Sequence, residues 1–367
     1  MKFLFIGTRG IPANYSGFEI CVQEVAKRLQ NKHEIVVYAR KGHYNERPNK
    51  IDNIQIVYLP SFKLKSFETL SHTFLSVLHG LIFHWSAKYM VFNPANSFAL
   101  ILPWIFRKKI VLNVDGLEWK RDKWNKVGKT YFKLAAWFST KISNTIVADS
   151  KGMADYYKKR WNTDSKLIEY GSYINKSTSS KNLKNFNLKK NEYILQITRF
   201  EPENNPLLTI QAFKKFKLDN PDSNLKLMII GDVPYPSIYS KKIKKEQNND
   251  IILPGYLYDL NILTELRNHC LAYIHGNQVG GTNPALLEAM GSYSFIIARD
   301  VNFNHEVLES GGIYYEKNIR SLLHCLNLTF HKKVNRKKAI KFSINKIKKY
   351  YNWDRIALNY NEMLENI

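Results

Sequence analysis

The segment "LFIGTRGIPANYSGFEICVQEVAKRL" (Leu4–Leu29) places a short apolar run before a glycine-containing loop, and the loop before apolar residues at helical spacing. The run predicts a buried strand, and the periodic segment predicts an amphipathic helix. Glycines at positions such as Gly7, Gly10 and Gly17 let backbone amides approach an anion at a helix N-terminus. The spacing differs from the G-x-G-x-x-G of a dinucleotide fingerprint. An ordinary strand-to-helix turn is the alternative interpretation.

The alternation of strand-like and helix-like segments continues along the whole chain. In the first half, the apolar runs that predict strands are KFLFIG, HEIVVYAR, IQIVYLP, KYMVFNP, KKIVLNVDG and TIVADS. In the second half, they are EYILQITRF, NLKLMIIGD, NDIILPGY, LAYIHGN, FIIARD and GGIYYE. Strands that alternate with helices are typical of doubly wound parallel sheets. We therefore predict an α/β fold with two similar halves.

The length of 367 residues exceeds the size at which a single core usually stops growing, so two domains are expected. A polar stretch rich in Ser, Asn and Lys interrupts the alternation and predicts a linker over residues 173–190. The predicted domains are residues 1–172 and 191–349. A helical tail at about residues 350–367 is predicted to pack back on the first domain.

Composition restricts the classes of function. The formal net charge is +24 at pH 7, which indicates anionic partners such as nucleotide phosphates, lipid headgroups or nucleic acid. Solubility and compositional drift are the alternative explanation. The three cysteines form no C-x-x-C pair, which favours a reducing, cytoplasmic setting. Neither a secretory signal nor a transmembrane helix is predicted.

A second motif, "QITRFEPENNP", follows a predicted strand of the second half. Arg199 comes at the carboxyl end of that strand, where α/β folds bind ligands, and a guanidinium suits a diphosphate. A helix is predicted to begin near Pro206. The alternative interpretation of Arg199 is a surface ion pair with Glu201 or Glu203.

A third motif, "HGNQVGGTNPALLEAMG", is the most informative one. The predicted strand ends at His275, and a helix is predicted to begin near Pro284. The amides of the loop and of the helix start can hold phosphate. Glu288 lies one turn into the helix, where a carboxylate can accept hydrogen bonds from ribose hydroxyls. A glutamate there is also favoured by the helix dipole alone.

Together these segments resemble GT-B glycosyltransferases of family 4, the retaining group that uses sugar nucleotides. The strings that carry the resemblance are IGTRGIPANYSGFE, NVDGLEWKRDKW, IVADSKGMADYY, TRFEPENNP, GGTNPALLEAMG and VNFNHEVL. Within that family, the chain is similar to bacterial rhamnosyltransferase-like proteins of capsule and surface-polysaccharide synthesis. The resemblance implies two Rossmann-like domains that face a cleft.

The resemblance also implies roles for single residues. Arg199 matches an arginine that pairs with the donor diphosphate, and Glu288 matches the second glutamate of an E-x7-E signature, the ribose ligand. Asp115 lies near the position of an active-site histidine in many relatives, which implies that it orients the acceptor or the sugar. A structural cap of the turn at Gly116 is the alternative. The other donor-binding positions are Gly17, Asn204, Gly281, Thr282 and Asn283.

The chain departs from the pattern of the family at three positions. Gly280 stands in place of the first glutamate of E-x7-E, Asn204 in place of a lysine, and Ser16 where a glycine is usual. Without the lysine, Arg199 and the loop amides carry more of the contact with the diphosphate. Without the glutamate, the donor site has room for a deoxysugar such as rhamnose.

The resemblance implies transfer of a hexosyl group, without a metal ion or other cofactor, from a dTDP- or UDP-linked sugar. The implied acceptor is a polyprenyl-diphosphate-linked saccharide at the inner face of the cell membrane. The basic first half and the aromatic residues Trp104, Trp119 and Trp124 suit an anionic lipid surface. Core positions are the alternative for these tryptophans, above all for Trp104 within ILPWIF.

Two rival functions remain at this point. Another GT-B sugar-nucleotide enzyme, such as a 2-epimerase, would need an acid/base set in the cleft, and only Asp115 and His275 stand out. A basic nucleic-acid-binding protein is suggested by the net charge, but the chain contains no helix-turn-helix, RNA-recognition or zinc signature. We therefore expect no nucleic acid partner.

Overall fold

The computed structural model describes residues 1–13, 17–62, 68–114, 116–121, 124–233 and 236–367. The chain divides into two compact units. The first unit consists of Met1–Lys120, Trp124–Tyr170 and Trp353–Ile367. The second unit consists of Arg121–Lys123 and Gly171–Asn352.

Strands and helices alternate in both units. The strands are β1 Lys2–Ile6, β2 Glu34–Arg40, β3 Lys50–Ile51, β4 Ile54–Leu59, β5 Lys88–Phe92, β6 Ile110–Val114, β7 Thr145–Ala148, β8 Lys166–Leu167, β9 Tyr193–Ile197, β10 Lys226–Ile230, β11 Ile251–Ile252, β12 Ala272–His275, β13 Ile296–Arg299 and β14 Gly312–Tyr315. The α-helices are α1 Gly17–Leu29, α2 Glu68–Phe83, α3 Ile101–Ile105, α4 Lys126–Ile142, α5 Lys151–Trp161, α6 Pro206–Asp219, α7 Ile238–Lys244, α8 Leu260–His269, α9 Pro284–Gly291, α10 Asn302–Leu308, α11 Ile319–Phe330, α12 Arg336–Tyr350 and α13 Trp353–Glu365. Among the helices within the described ranges, none combines the length and the hydropathy of a membrane span.

The first unit is built on one sheet with the strand order β3-β4-β2-β1-β5-β6-β7-β8. Its neighbouring strands are parallel, apart from the antiparallel pair β3–β4. The central strand β1 is apolar from Phe3 to Ile6 and fully buried, because helices cover both faces of a parallel sheet. The chain leaves β1 and β5 in opposite directions, so their following loops separate at the carboxyl edge of the sheet.

Two glycines of the loop after β1 are required by close packing. Gly7 has φ +95° and Gly10 has φ +105°, which is the region that favours glycine. A Cβ atom at Gly7 would collide with the backbone oxygen of Phe92, and one at Gly10 would collide with Ala39. The loop therefore needs glycines to lie against β5 and β2.

The helix α13 completes the first unit, although it comes last in the chain. It packs on α1 and buries Tyr360, whose hydroxyl accepts a hydrogen bond from Asn113 Nδ2 at 2.7 Å. A second polar contact joins His33 Nε2 and Asn361 Oδ1 at 2.7 Å. The predicted return of the C-terminal helix to the first domain is confirmed.

Replacing Tyr360 by phenylalanine is expected to lower the free energy of unfolding by about 1–3 kcal/mol, because the buried Asn113 amide loses its acceptor. The matched control is Tyr89→Phe. Tyr89 is equally buried, but its hydroxyl has no hydrogen-bond partner within the described ranges, so its removal should cost nothing. Thermal melting of both variants measures the difference. An equal stability of the two variants would contradict the role given to the Tyr360 hydroxyl.

The second unit contains a six-stranded parallel sheet in the order β11-β10-β9-β12-β13-β14. Numbered along the unit, this is the order 3-2-1-4-5-6 of a doubly wound nucleotide-binding fold. The apolar runs that predicted strands in this half coincide with the six observed strands. The prediction of an α/β fold with two parallel sheets is confirmed.

Residues 173–190, predicted as a linker, lie against the second unit and are tied to it. A 3₁₀ turn over Lys181–Phe186 buries Leu183. The backbone N–H of Asn182 donates to Glu265 Oε1 at 2.7 Å. The polar composition therefore reflects hydrogen bonds to α8 as well as exposure to solvent.

Candidate functional site

The sheet of the second unit has its topological switch point between β9 and β12. The loops that follow these two strands turn in opposite directions and leave a crevice at the carboxyl edge of the sheet, where doubly wound folds bind ligands. Arg199 and Asn204 follow β9, and the loop Gly276–Asn283 follows β12. The fold therefore brings the second and third motifs of the sequence to one edge.

Direct contacts fasten these two loops to each other. Asn205 Nδ2 donates to the carbonyl oxygen of Gly276 at 2.8 Å, and the N–H of Gln278 donates to the carbonyl oxygen of Glu203 at 3.0 Å. A Cβ atom at Gly276 would collide with the carbonyl oxygen of Asn204. The two loops thus form one connected platform.

Arg199 is half-buried on this platform. Its carbonyl oxygen accepts hydrogen bonds from Asn204 Nδ2 at 3.0 Å and from the N–H of Glu201 at 2.7 Å. Its guanidinium makes no hydrogen bond or ion pair with any residue in the described part of the chain. The alternative interpretation of an ion pair with Glu201 or Glu203 is therefore wrong, and the cation is available to an anionic ligand.

Asn204, which is predicted to bind the donor, is buried in this turn. It is 3% exposed, and its Nδ2 donates to Arg199. Its carbonyl oxygen accepts a hydrogen bond from Gln196 Nε2 at 3.1 Å. The Nδ2 of Asn204 is engaged inside the turn, so this residue helps to shape the loop that carries Arg199.

A buried carboxyl group lies in the same turn. Glu203 is 1% exposed, and Arg121 Nη1 lies 3.9 Å from its Oε1. Burial, with a smaller effect of the neighbouring Glu201, raises the pKa of Glu203. The charged partner of this carboxyl is Arg121, and no contact joins it to the guanidinium of Arg199.

The loop before α9 presents open backbone donors. Asn283 caps α9: its Oδ1 accepts from the N–H of Ala285 at 3.0 Å, and its carbonyl oxygen accepts from the next two amides. The helix-start amides are therefore satisfied. By contrast, the N–H groups of Gly280, Gly281 and Asn283 have no hydrogen-bond partner among the residues described. Gly281 and Thr282 are buried, so an anion would find donors in a sheltered loop.

Glu288 forms an ion pair that the sequence analysis missed. It lies four residues after Pro284 on α9, as predicted, and its Oε2 contacts Nη2 of Arg267 on α8. The Arg267 side chain is 5% exposed, whereas that of Glu288 is 35% exposed. Glu288 Oε1 receives no hydrogen bond from the described residues. Arg267 therefore orients the carboxylate and leaves one oxygen open.

His275 ends β12 in a fully buried position. Burial lowers the pKa of its imidazole to about 3, so the ring is neutral near pH 7. It supplies no positive charge to the crevice.

The predicted residues of the first unit are described only in part. Gly17 begins α1, and the loop before it is tied to this helix by a hydrogen bond from the N–H of Arg9 to Glu19 Oε1 at 2.9 Å. Ser16 and Asp115 lie outside the described residues. Within the described ranges, no group of three or more His, Cys, Asp or Glu side chains is placed to hold a metal ion.

Comparisons with known proteins agree with this architecture. Residues 179–348, just under half of the chain, match the family described as Glycosyl transferases group 1. Residues 98–173 match a domain of unknown function, DUF1972. A sequence comparison with curated proteins finds no match.

Similar solved structures cover the whole chain. HepE from Anabaena in complex with UDP is 16% identical, with a TM-score of 0.79 over 100% of both chains. Sucrose-phosphate synthase from Thermosynechococcus elongatus is 14% identical, with a TM-score of 0.79 over 100% of this chain and 98% of that one. The trehalose-phosphate synthase from Burkholderia xenovorans, solved with glucose-6-phosphate, is 9% identical, with a TM-score of 0.75 over 100% of both chains. The chain therefore has the GT-B fold of glycosyltransferases, and its residues 179–348 match the Glycosyl transferases group 1 family.

Proposed function

We propose that the protein transfers a hexosyl group from a nucleoside diphosphate sugar to an acceptor hydroxyl. The observation that carries this proposal is the unpaired Arg199 guanidinium at a topological switch point, on the same platform as the unpaired amides of Gly280 and Gly281. A cation and a set of sheltered amides are what a diphosphate requires. The Glycosyl transferases group 1 match over the same residues supports sugar transfer.

In this proposal, Glu288 binds the nucleoside half of the donor. Its open carboxylate oxygen accepts a hydrogen bond from a ribose hydroxyl, while Arg267 holds the other oxygen. HepE has been solved with UDP and with UDP-glucose, which supports a pyrimidine donor, UDP- or dTDP-linked. A Cβ atom at Gly280 would meet open space. Because position 280 carries no carboxylate to hold the hydroxyls of the sugar, the proposed donor is a rhamnosyl donor.

In the proposed reaction, the bond between the anomeric carbon and the leaving phosphate oxygen breaks, and a bond to the acceptor oxygen forms. Negative charge grows on the leaving diphosphate, where Arg199 and the loop amides stabilise it. Because these groups supply the positive charge, the proposal needs no metal ion. Attack on the same face as departure retains the configuration, and a leaving phosphate oxygen takes the acceptor proton. Asp115 orients the acceptor or the sugar.

The proposed acceptor is a saccharide linked to polyprenyl diphosphate, in capsule or surface-polysaccharide synthesis. Such an acceptor lies at the inner face of the cell membrane. The proposal therefore includes peripheral association with an anionic membrane surface, which the net charge of +24 supports. The alternative hypothesis of a 2-epimerase is less favoured, because His275 is buried and has no access to a substrate.

A thermal-shift panel tests the donor class. The wild type and Glu288→Ala are melted with UDP, dTDP, GDP, ADP and a short DNA duplex. A nucleotide at a hundredfold excess over its Kd should stabilise the wild type by about 2.7 kcal/mol. We expect UDP or dTDP to raise the melting temperature of the wild type and to have little effect on Glu288→Ala.

The control is Glu362→Ala, which removes an exposed carboxylate from α13 and should keep the full nucleotide shift. A shift by DNA alone, with none by any nucleoside diphosphate, would overturn the proposal and favour nucleic-acid binding. An equal shift for the wild type and Glu288→Ala would remove Glu288 from the donor site.

A further inference from the structure

Large apolar side chains are exposed along one part of the first unit. They lie at the end of α2, on α3 and on α4. Those that contribute most are Phe83 (66% exposed), Trp85 (55%), Trp104 (50%), Ile105 (57%), Leu134 (51%) and Trp137 (44%). Scattered apolar residues are normal on protein surfaces, but a patch of this kind marks an interaction site.

Side-chain contacts connect these helices into one surface. The rings of Trp85 and Phe106 meet edge to face with centroids 5.5 Å apart, which joins the end of α2 to the end of α3. Lys108 Nζ lies 3.4 Å from the centroid of the Trp85 ring. The segment before α3 reaches α4 through Phe98, whose ring stacks on that of Phe138 at 5.0 Å. We call this the basic aromatic surface.

The segments that form this surface carry basic residues and no carboxylate. The chain has no Asp or Glu between Glu68 and Asp115, and none from Trp124 to Ala148. On α4 the exposed stripe alternates lysines with the apolar residues Leu134 and Trp137; its exposed lysines are Lys126, Lys133 and Lys141. Arg107 and Lys109 add exposed positive charge after α3.

Two tryptophans that the sequence suggested for a lipid surface do not belong to it. Trp119 packs against Tyr156 at 5.7 Å between ring centroids. Trp124 packs against Phe132 at 4.8 Å, and its Nε1 donates to Glu118 Oε2 at 3.0 Å. Of the three that were named, Trp104 alone is exposed.

We propose that the basic aromatic surface docks on an anionic lipid bilayer. Exposed tryptophans and phenylalanines enter the boundary between headgroups and acyl chains, and lysines beside them meet the anionic headgroups. A second copy of the chain fits less well, because the same positive face would then oppose itself. A nucleic acid would meet the lysines but would leave Phe83 and Ile105 exposed to water.

The inference deepens the proposed function, since it names the surface that meets the membrane. It does not depend on sugar transfer, because lipid binding is measured without donor or acceptor. Failure of one proposal is therefore distinguishable from failure of the other.

The test is co-sedimentation of the full chain with vesicles. One set contains phosphatidylglycerol and phosphatidylethanolamine, and the other contains phosphatidylcholine alone. We expect binding to the anionic vesicles only, and weaker binding as salt is raised. Trp104→Ser with Trp137→Ser should reduce binding at least about tenfold. Lys133→Glu with Lys141→Glu should reduce it by about twentyfold or more, since each surface lysine contributes roughly fivefold.

The matched control is Lys337→Glu with Lys341→Glu, which changes the net charge equally on the exposed side of α12 in the second unit. This variant should bind nearly as the wild type does. Equal losses in the two charge-reversed variants would overturn the proposal and assign the effect to net charge. Binding by wild type to both kinds of vesicle, or to neither, would overturn it as well. A wild-type dimer that the Trp104→Ser substitution dissociates would also overturn the proposal, because the surface would then bind a second copy of the chain.

Discussion

Replacing Arg199 by alanine is expected to lower kcat for sugar transfer by about 10²- to 10³-fold, the usual effect of removing one group that stabilises charge in a transition state. The guanidinium has no partner among the described residues, so the fold loses no ion pair or hydrogen bond with it. We therefore expect the melting temperature to stay near that of the wild type. Initial rates with a UDP- or dTDP-linked sugar, together with thermal melting, measure both effects.

Two further variants sharpen this experiment. Arg199→Lys keeps the charge but loses the fork that matches two phosphate oxygens, so an intermediate rate is expected. Arg320→Ala removes an exposed arginine from α11 of the same unit and should leave the rate unchanged. If Arg199→Ala kept its full kcat, Arg199 would have no part in the transition state. A large fall in melting temperature would show that its role is structural.

Replacing Arg267 by methionine is expected to raise KM for the donor by roughly 10- to 100-fold with little change in kcat. Arg267 holds the carboxylate of Glu288, and without it Glu288 is free to turn towards solvent. Methionine keeps most of the buried stem, so the loss of packing is small. The lost ion pair lowers the free energy of unfolding by about 1–3 kcal/mol.

A double-mutant cycle separates positioning from stability. If Arg267 acts on the donor through Glu288, then Arg267→Met should add little to the KM of Glu288→Gln. Arg267→Lys should restore part of the affinity. A variant that melts earlier but binds UDP or dTDP as the wild type does would mean that the Arg267–Glu288 pair only supports the fold.

The fold was largely predictable, because strands that are buried in a parallel sheet have continuous apolar sequences. Strands β9 to β14 of the second unit and the longer strands of the first each coincide with such a run. The two-residue strands β3 and β8 were missed, since each pairs one lysine with one apolar residue, whereas the equally short β11 lies within an apolar run. The polarity of residues 173–190 was visible in the sequence, but their hydrogen bonds to α8 depend on residues about 80 positions away.

Residues of the candidate site were predictable only where a side chain of suitable chemistry stands directly after a strand or at the start of a helix. Arg199 and Glu288 stand directly after strands or helix starts, so their placement follows from the topology. In the sequence, Arg267 is an ordinary basic residue in the last turn of α8. Its partner Glu288 lies 21 positions further along the chain, so no local pattern indicates the ion pair. One signal was present, because Arg267 comes four residues after Leu263 and so lies on the same face of α8. The sequence does not show where the Asn204 amide points, so its hydrogen bond to Arg199 was not predicted.

The position of α13 has a consequence for how the protein is made. A ribosome delivers this helix only after the entire second unit has been synthesised, although it covers α1 and the Asn113 amide of the first unit. Domains usually fold in the order in which they leave the ribosome. Here the first unit begins folding first and finishes last. A premature stop codon anywhere between Gly171 and Trp353 therefore damages the unit that had already been translated as well as the one that was interrupted.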